Sequence, residues 1–356
     1  MVFVVLHHIH LRFKLNGFAV EALLPRPVGQ VVFWSAYFAV IAFLVISGFL
    51  ITGLSMRRWT SLNRINLPDF YRLRFARIVP CLLALVAILS LLHWLHVPGF
   101  VINPERSSLG RAVLAALAFH INWLEGHHGY LAGGWDILWS LSVEEVFYIL
   151  FPIACLCCRD ERWLLLPLLG LIVYGPFNRM ALAGQDPWQD YAYLSCADGI
   201  AFGCIAALVA SRSRWSRGTL WLMMTLGILA VILIVVFRGS TAASTLHDKG
   251  LGISVLEIGV ALMLVAISQG IGREWLTRRT GLIRAIGHGS YEIYLTHMLV
   301  ILGLMPLIKS QSPHGAMTVV WYGALLLLSL VLGWVVYSVY SEPMNERLRC
   351  SSRELR

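Results

Sequence analysis

The chain contains the run Trp139-Ser140-Leu141-Ser142-Val143-Glu144-Glu145-Val146-Phe147-Tyr148, after which apolar residues continue to Cys158. The whole segment is long enough to enter a bilayer, because a spanning helix needs about 20 mainly apolar residues. Two adjacent carboxylates stand near its beginning. Ionisable groups beside hydrocarbon cost on the order of a few kcal/mol and are usually retained for function. The run therefore predicts a spanning helix that carries a functional carboxylate.

Apolar runs near the length of a spanning helix recur along the chain. Of its 356 residues, 58% are hydrophobic and only 13% are charged, whereas a soluble protein carries about a quarter charged residues. Nine such runs cover residues 31–54, 78–96, 139–157, 162–177, 191–210, 218–237, 251–271, 286–308 and 317–340. Residues 1–11 are also apolar but too short to cross alone, and counting them as a span that starts inside brings the total to ten. They predict an all-α, polytopic transmembrane helical bundle of about ten spanning helices. We expect it to form a single domain over residues 1–356.

The distribution of positive charge predicts the orientation. The net charge is +9, which the gathering of Lys and Arg in cytoplasmic loops explains without any nucleic-acid partner. Ten crossings with both termini in the cytoplasm place 19 of the 28 Lys and Arg residues inside. These are Arg57, Arg58, Arg64, Arg72, Arg74, Arg77, Arg159, Arg162, Arg212, Arg214, Arg217, Arg273, Arg278, Arg279, Arg284, Arg347, Arg349, Arg353 and Arg356.

The short apolar run 111–124 does not fit as a further crossing. If this run is counted as a crossing, most of the positive charge lies outside. If the whole chain is then inverted, the six-arginine loop 55–77 lies outside. We therefore expect residues 97–138 to form a long outer loop, with 111–124 lying on or dipping into the membrane.

Three histidines lie close together in His7-His8-Ile9-His10. Histidine suits proton transfer, because its unperturbed pKa is the nearest to neutrality of all side chains. Histidines that merely reach from the membrane interface to water are an equally good interpretation of the spacing. A metal site is less favoured, because these neighbours do not share one helix face as an i, i+4 pair would.

A second group is basic: Arg72, Arg74 and Arg77 follow one another between Asp69 and Pro80. Arg74 and Arg77 share one face if this segment is helical, and guanidinium groups bind phosphates bidentately. Taken alone, the group is as well explained by the charge bias of cytoplasmic loops.

Other polar residues in or beside apolar runs are weaker candidates. Glu144 or Glu145 could orient a histidine or hold a hydroxyl, although a carboxylate also suits the N-terminal dipole of a helix. Aromatic residues around them, including Trp139 and Tyr148, are typical of sugar platforms. Further candidates are Ser140, Asp198, Tyr291, Tyr294 and His297, and Glu342-Pro343 is a candidate helix stop.

Five of these strings, taken in order, resemble the acyltransferase 3 family of bacterial integral membrane O-acyltransferases. Phe43 to Thr52 is similar to its second-helix signature, and Phe70 to Pro80 to its arginine loop. Trp139 to Tyr148 is similar to its Trp-Ser-Leu-x-Val-Glu run. Ser290 to His297 and Glu342-Pro343 resemble its late motifs. The resemblance covers essentially the whole chain.

The resemblance implies roles for particular residues. His8 aligns with the family's first-helix histidine, with His7 as the near alternative, and Glu144 with its typical glutamate. These two are the expected catalytic residues, and the acyl-CoA-binding residues are Arg72, Arg74 and Arg77. We expect the following to bind substrate or to be structural: His7, Trp139, Ser140, Tyr148, Asp198, Tyr291, Tyr294 and His297.

The chain also departs from the family pattern. The family has an arginine ten spacer residues before the histidine, and here that position falls before Met1. We expect either that the chain starts late or that it lacks this residue. Leu73 stands where the family often has arginine, and Ile41 where it often has aspartate.

The function that the resemblance implies is transfer of an acyl group, most simply acetyl. The donor is cytosolic acyl-CoA, a co-substrate, and no cofactor or metal is expected. The acceptor is a hydroxyl of a cell-surface or lipid-linked glycan, and the location is the bacterial cytoplasmic (inner) membrane. The alternative is a transporter or flippase for an anionic or sugar-bearing solute, because buried ionisable residues also line transport pathways. Against transport, the sequence shows neither repeated halves nor paired Gly/Pro-broken spans.

Overall fold

A computed structural model describes residues 1–20, 24–158, 160–272 and 280–350. Within these ranges the chain is helical and contains no strand. We number its α-helices α1 (Val2–Leu15), α2 (Arg26–Trp34), α3 (Ala36–Trp59), α4 (Leu67–Trp94), α5 (Leu109–Leu117), α6 (Ile121–His128), α7 (Gly133–Asp136), α8 (Leu138–Cys157), α9 (Glu161–Ala181), α10 (Trp188–Tyr191), α11 (Tyr193–Arg212), α12 (Arg217–Val235), α13 (Thr241–Asp248), α14 (Gly252–Ser268), α15 (Gly281–His288), α16 (Ser290–Gln311), α17 (Ala316–Val336) and α18 (Glu342–Cys350).

The apolar runs form long helices, which confirms the all-α, polytopic prediction. The hydrocarbon core of a membrane offers no hydrogen-bond partners to backbone N–H and C=O groups. A helix pairs these groups with one another within a single segment. Among the described residues, eight helices are long and apolar enough to cross a membrane. A ninth crossing results if α13 and α14, bent by 106° at their junction, count as one broken span. The predicted tenth is α1, whose 14 residues are fewer than a full crossing needs.

The run 111–124 is not one continuous helix. It is divided between α5 and α6, which are joined at residues 118–120. Phe119 there has a positive φ of 55°, a conformation that interrupts a right-handed helix. The Ser108 side chain caps α5 by accepting a hydrogen bond from the Arg111 backbone N–H at 3.3 Å. The expectation that this run is too short for a separate crossing agrees with these two short helices.

The arginine segment is helical, whereas the sequence predicted a loop over 55–77. α3 continues to Trp59 and α4 already begins at Leu67, so the link between them is short. A helix can continue past the end of an apolar run, because Arg and Leu both have high helix propensity. Of the 19 arginines predicted to be cytoplasmic, Arg159, Arg273, Arg278, Arg279, Arg353 and Arg356 lie outside the described residues.

Glu342-Pro343 does not stop a helix, contrary to the interpretation from sequence. A π-helical turn, Tyr337–Ser341, joins α17 directly to α18, and Pro343 lies in the first turn of α18. Proline lacks the backbone N–H and its ring meets the carbonyl four residues earlier. The wider π turn immediately before it relieves both problems, so the chain remains helical.

The described chain divides into two compact units. The first comprises residues 1–37, 68–139 and 281–356, and the second residues 38–67 and 140–280. In the first unit α1 packs against α2, α16 and α17, and α16 packs along α17. In the second unit α11 packs against α9 and α14, and α14 packs along α12. The single functional domain expected from the sequence stays a prediction.

Glycines allow close helix packing within the second unit. A Cβ at Gly48 of α3 would lie 2.0 Å from the Ile200 carbonyl oxygen of α11. A Cβ at Gly203 would likewise lie 2.0 Å from the Val45 carbonyl oxygen. Only a glycine permits backbones to approach this closely, which is how small residues promote helix association in membranes. A buried cluster that includes Val45 and Val265 fills the space beside this contact.

Candidate functional site

His8 contacts a second histidine inside the first unit. Its Nδ1 atom lies 2.9 Å from Nε2 of His297, which α16 contributes. The two ring planes are inclined by only 24°. His297 is fully buried, so this pair is shielded from water on the α16 side. The two residues are 289 positions apart in the chain and belong to different predicted motifs, and the fold brings them together.

The other two histidines of α1 have different partners. The Nδ1 atom of His7 lies 2.6 Å from the backbone carbonyl oxygen of Phe33 in α2. His10 is fully buried, and its Nδ1 lies 3.0 Å from the hydroxyl of Tyr322 in α17. His7 and His10 thus attach α1 to its neighbours. His8, by contrast, has a ring nitrogen at hydrogen-bond distance from the imidazole of another helix.

One turn beyond His8, Arg12 lies among polar groups that the sequence analysis missed. It interacts electrostatically with Asp136 of α7. Its guanidinium is so close to Gly133 that a Cβ there would lie 2.3 Å from Nη2. Because residues four apart share one face of a helix, Arg12 and His8 extend from the same side of α1. The i, i+4 spacing of His8 and Arg12 was the signal available in the sequence.

Glu125 of α6 extends this polar region and is fully buried. Its Oε1 accepts a hydrogen bond from the Leu131 backbone N–H at 2.9 Å. Burial raises the pKa of Glu125 well above its ordinary value, and the negative charge of Asp136 raises it further. Both effects favour the protonated form of Glu125.

The two tyrosines of the late motif anchor α16. Tyr294 donates its hydroxyl hydrogen to the carbonyl oxygen of Ile137 at 2.6 Å. Tyr291 donates to the carbonyl oxygen of Ile78, in α4, at 2.9 Å. Both hydroxyls are thus used to fix the helix that carries His297. Of the two roles predicted for these tyrosines, substrate binding or structure, their hydrogen bonds favour the structural one.

Glu144 belongs to a carboxylate–hydroxyl cluster in the second unit. Ser47 of α3 donates a hydrogen bond to its Oε1, and so does the hydroxyl of Tyr148 one turn along α8. The two hydroxyls also contact each other. Glu145, the neighbouring carboxylate, is buried. The sequence analysis quoted Ser47 within the second-helix signature but did not identify it as a partner of Glu144.

The aromatic candidate Trp139 lies in the first unit with Ile137 and Leu138. Its ring is 6.3 Å from that of Tyr37, at an interplanar angle of 26°. Both Trp139 and Ser140, the next residue, are buried. Trp139 is therefore packed against another aromatic ring.

The three predicted acyl-CoA-binding arginines all contact other protein groups of the first unit. Arg72 donates to the backbone carbonyl of Leu348 at 3.0 Å and to that of Arg349. Arg77 donates to Oε1 of Glu292 at 3.0 Å, and Glu292 is fully buried. Arg74 lies over the ring of Phe70 at 6.0 Å. The arginine segment is thus tied to α16 and to the C-terminal helix α18.

Asp198 is part of a buried charged group in the second unit. Its Oδ2 lies 2.9 Å from Nη1 of Arg179, which α9 contributes. Arg179 also donates to the carbonyl oxygens of Ser195 at 2.6 Å and Gly250 at 3.1 Å. Gly250 is in the bend between α13 and α14, so the guanidinium holds the broken span in place. Gly175 of α9 leaves room for Asp198, whose Oδ2 would lie 2.3 Å from a Cβ there.

Glu257 of α14 adds a second carboxylate to this group. It is fully buried, and its Oε1 would lie 2.8 Å from a Cβ at Gly199. The sequence analysis missed both Glu257 and Arg179. Glu257 is the one ionisable residue in the sequence of the apolar run 251–271. An ionisable residue within such a run is the signal that identifies intramembrane functional candidates.

The described residues contain no group of three or more His, Cys, Asp or Glu side chains that could hold a metal ion. In the first unit the polar groups brought together are the His8–His297 pair and nearby Arg12. In the second unit they are the Glu144 cluster and the Asp198 group.

A family model described as an acyltransferase domain matches residues 1–338. O-acetyltransferase OatA of Staphylococcus aureus is 22% identical over 351 residues, covering 94% of this chain and 56% of the relative. Peptidoglycan O-acetyltransferase OatA of Listeria monocytogenes is 26% identical over 295 residues, covering 76% of this chain and 46% of the relative. The chain thus spans about half the length of these curated relatives. No solved structure matches it.

Proposed function

Because this chain belongs to the acyltransferase 3 family, we propose that it is a multi-pass membrane enzyme that transfers an acyl group to a hydroxyl. The donor is acyl-CoA, most simply acetyl-CoA, and the acceptor is a cell-surface or lipid-linked glycan. The names of the two OatA relatives support O-acetyl transfer, and one of those names specifies peptidoglycan. The match over residues 1–338 is the observation that carries the proposal.

His8 acts as general base in the proposed reaction. It accepts the proton of the acceptor hydroxyl, and the hydroxyl oxygen forms a bond to the thioester carbonyl carbon. The carbon–sulfur bond then breaks, and the CoA sulfur leaves with the electron pair and takes up a proton. The product is an ester of the glycan and free CoA. Contact with the imidazole of buried His297, rather than with a backbone carbonyl or a tyrosine hydroxyl, supports the choice of His8 over His7 and His10.

The CoA phosphates bind at the cytoplasmic end of α4. Arg74 supplies a guanidinium for them, and Arg72 and Arg77 lie one turn or less away on the same helix. Since Arg77 already pairs with Glu292, its contribution includes holding the N-terminal part of α4 against α16. A phosphate that binds there meets a preformed cationic surface.

Glu144 holds the second predicted catalytic position. Its carboxylate accepts hydrogen bonds from two hydroxyls, those of Ser47 and Tyr148. A hydroxyl-bearing substrate offers the same type of donor. We therefore assign Glu144 to binding a hydroxyl, either from the acceptor or from its neighbours in the protein.

The location proposed is the bacterial cytoplasmic membrane, with both termini in the cytoplasm. The concentration of arginines in the loops assigned to that side supports this orientation. It places the α3–α4 link and the start of α4, where the arginines lie, on the side where acyl-CoA is made available.

The test is acyl transfer in membranes that contain the protein and acetyl-CoA labelled in the acetyl group. We expect covalent label on a glycan fraction, and at least a hundredfold loss of label for His8→Ala and Glu144→Ala. His10→Phe, on the same helix, is the matched control and should retain most activity. Full activity in both His8→Ala and Glu144→Ala would refute the catalytic assignment.

Transport is the second candidate function, and one structural feature favours it. Discontinuous helices frequently form substrate sites in transporters, and α13 with α14 is such a broken span. Movement of a labelled sugar-bearing solute into vesicles, with no covalent label appearing from acetyl-CoA, would identify a transporter.

A further inference from the structure

We infer that His297 is the positioning residue of His8: by accepting a hydrogen bond from Nδ1 of His8, it leaves the Nε2 atom of His8 as the proton acceptor. This inference rests on the proposed function, in which His8 is the general base. It adds a second residue to the site and specifies which atom of His8 takes part in the reaction.

The hydrogen positions follow from the partners of His297. Its Nδ1 lies 2.7 Å from the carbonyl oxygen of Tyr294 and 3.2 Å from that of Ile293. A carbonyl oxygen can only accept, so Nδ1 of His297 must carry a hydrogen. In a neutral imidazole the other nitrogen is then an acceptor. The Nε2 atom of His297, 2.9 Å from Nδ1 of His8, is that acceptor.

The tautomer of His297 in turn determines that of His8. A contact between two nitrogens requires one hydrogen between them, and His297 does not supply it. Nδ1 of His8 therefore carries the hydrogen and donates it to His297. Neutral His8 then has no hydrogen on Nε2, whose lone pair is available to accept a proton. Solution imidazole exchanges between two tautomers, whereas this pair holds one.

Protonation of His8 strengthens its hydrogen bond to His297. When His8 takes the acceptor's proton it becomes an imidazolium, and its Nδ1–H becomes a charged donor. Hydrogen bonds with a charged donor are roughly twice as strong as neutral ones. His297 thus stabilises the charged form that arises during the reaction. This is the role that an orienting partner plays for a catalytic histidine in hydrolases.

The position of His297 is fixed by its own helix. Its two carbonyl partners are the residues three and four positions earlier in α16, and that helix is attached through Tyr294 to Ile137. The charged and titratable groups around the pair are His7 and Arg12 on α1, with the amino group of Met1 near His297. None of these is a carboxylate, so His297 is the acceptor that faces Nδ1 of His8 among the described residues.

Two substitutions at His297 separate its two hydrogen bonds. In His297→Gln the terminal amide reaches the position of Nε2 and can present an oxygen to His8. In His297→Asn the shorter amide can bond the Tyr294 carbonyl but does not reach His8. His10→Phe removes the corresponding histidine contact with Tyr322 and is the control for disturbing α1. Each protein is checked for folding by its elution as a single species in detergent.

We expect His297→Asn to lower kcat by at least tenfold with little change in KM for the acyl donor. The low-pH limb of its pH–rate profile should move to lower pH, because the imidazolium form of His8 loses an acceptor. His297→Gln should recover most of the rate and the original profile. Wild-type kcat and profile in folded His297→Asn, or equal losses in both variants, would overturn the inference.

The His8→Ala variant separates failure of this inference from failure of the proposed function. If His8→Ala is inactive while His297→Asn behaves as wild type, only the role of His297 is refuted. If His8→Ala keeps full activity, the general-base assignment itself fails, and the inference fails with it.

Discussion

His7, His8 and His10 are nearly adjacent in sequence, yet each has a different partner. His7 contacts a backbone carbonyl, His10 contacts a tyrosine hydroxyl and His8 contacts a second histidine. A hydrogen bond to a carbonyl or a hydroxyl orients a ring, whereas a nitrogen–nitrogen contact with a second imidazole also relates the tautomers of the two rings. The side chains are chemically identical, so partner identity distinguishes their roles.

Glu125 leads to a prediction about pH. Since its pKa is raised by burial from an ordinary value of 4.5, the folded protein holds a proton that the unfolded chain releases. The contribution of Glu125 to stability is therefore greatest at low pH and falls as pH rises from about 4.5 towards the folded-state pKa. Glu125→Gln should abolish this decline, as measured by thermal unfolding in detergent between about pH 5 and 8.

The matched control is Glu105→Gln, because Glu105 is an exposed carboxylate nearby in the chain. It should leave the pH dependence of thermal unfolding as in the wild type. If Glu125→Gln retained the wild-type decline, Glu125 would not be the group responsible.

Arg77 gives a prediction about stability that is separate from acyl-CoA binding. Arg77→Met leaves the carboxylate of Glu292 buried without its ion-pair partner. We expect a loss of about 3 kcal/mol in the free energy of unfolding, because an uncompensated buried charge costs that much. The double variant Arg77→Met/Glu292→Gln should recover part of the loss. Unfolding by dodecyl sulfate in mixed micelles measures each variant.

Arg74→Met is the comparison for a charge change on the same helix, because Arg74 lies over the Phe70 ring. We expect a smaller loss than for Arg77→Met, because a cation–π contact is weaker than an ion pair with a buried carboxylate. Equal losses in the single and double Arg77 variants would contradict a stabilising ion pair.

At the scale of the elements, helix contacts in the second unit depend on glycine. Gly203→Ala places a methyl group against the Val45 carbonyl oxygen, and neither backbone can move away without separating α3 from α11. We expect a cost of about 1–3 kcal/mol, typical of overpacking. Gly53→Ala on α3 is the matched control, since nothing lies within 4 Å of its Cβ position. Equal stability of the two variants would show that α3 and α11 adjust freely.

The helices differ in how fully the sequence predicts them. Residues 139–157 form α8, within one residue of the predicted run, because apolar composition alone requires a helix in a bilayer. The beginning of α4, the bend between α13 and α14 and the π turn before α18 were not predicted. The bend, for example, is held by a contact made elsewhere in the chain, that of Arg179 with the Gly250 carbonyl.

At the scale of the whole molecule, orientation is the property to test. A C-terminal green fluorescent protein should be fluorescent, and a C-terminal alkaline phosphatase should be inactive, if the C-terminus is cytoplasmic. The positive-inside bias is the reason for this expectation. The same two reporters fused within the predicted outer loop 97–138 should give the opposite pair of results, and a fluorescent reporter there would contradict the orientation.

The sequence by itself determined the class of protein: long apolar runs must become helices wherever water is excluded, and five ordered motifs indicated the family to which the chain belongs. Only the tertiary structure decided which polar groups meet. His8 with His297, Ser47 with Glu144 and Arg179 with Asp198 are each joined across different helices. Composition determines helix formation locally, segment by segment. The partner of a buried polar group, in contrast, comes from the helix that packs against it, and helix packing is decided only when the whole chain is folded.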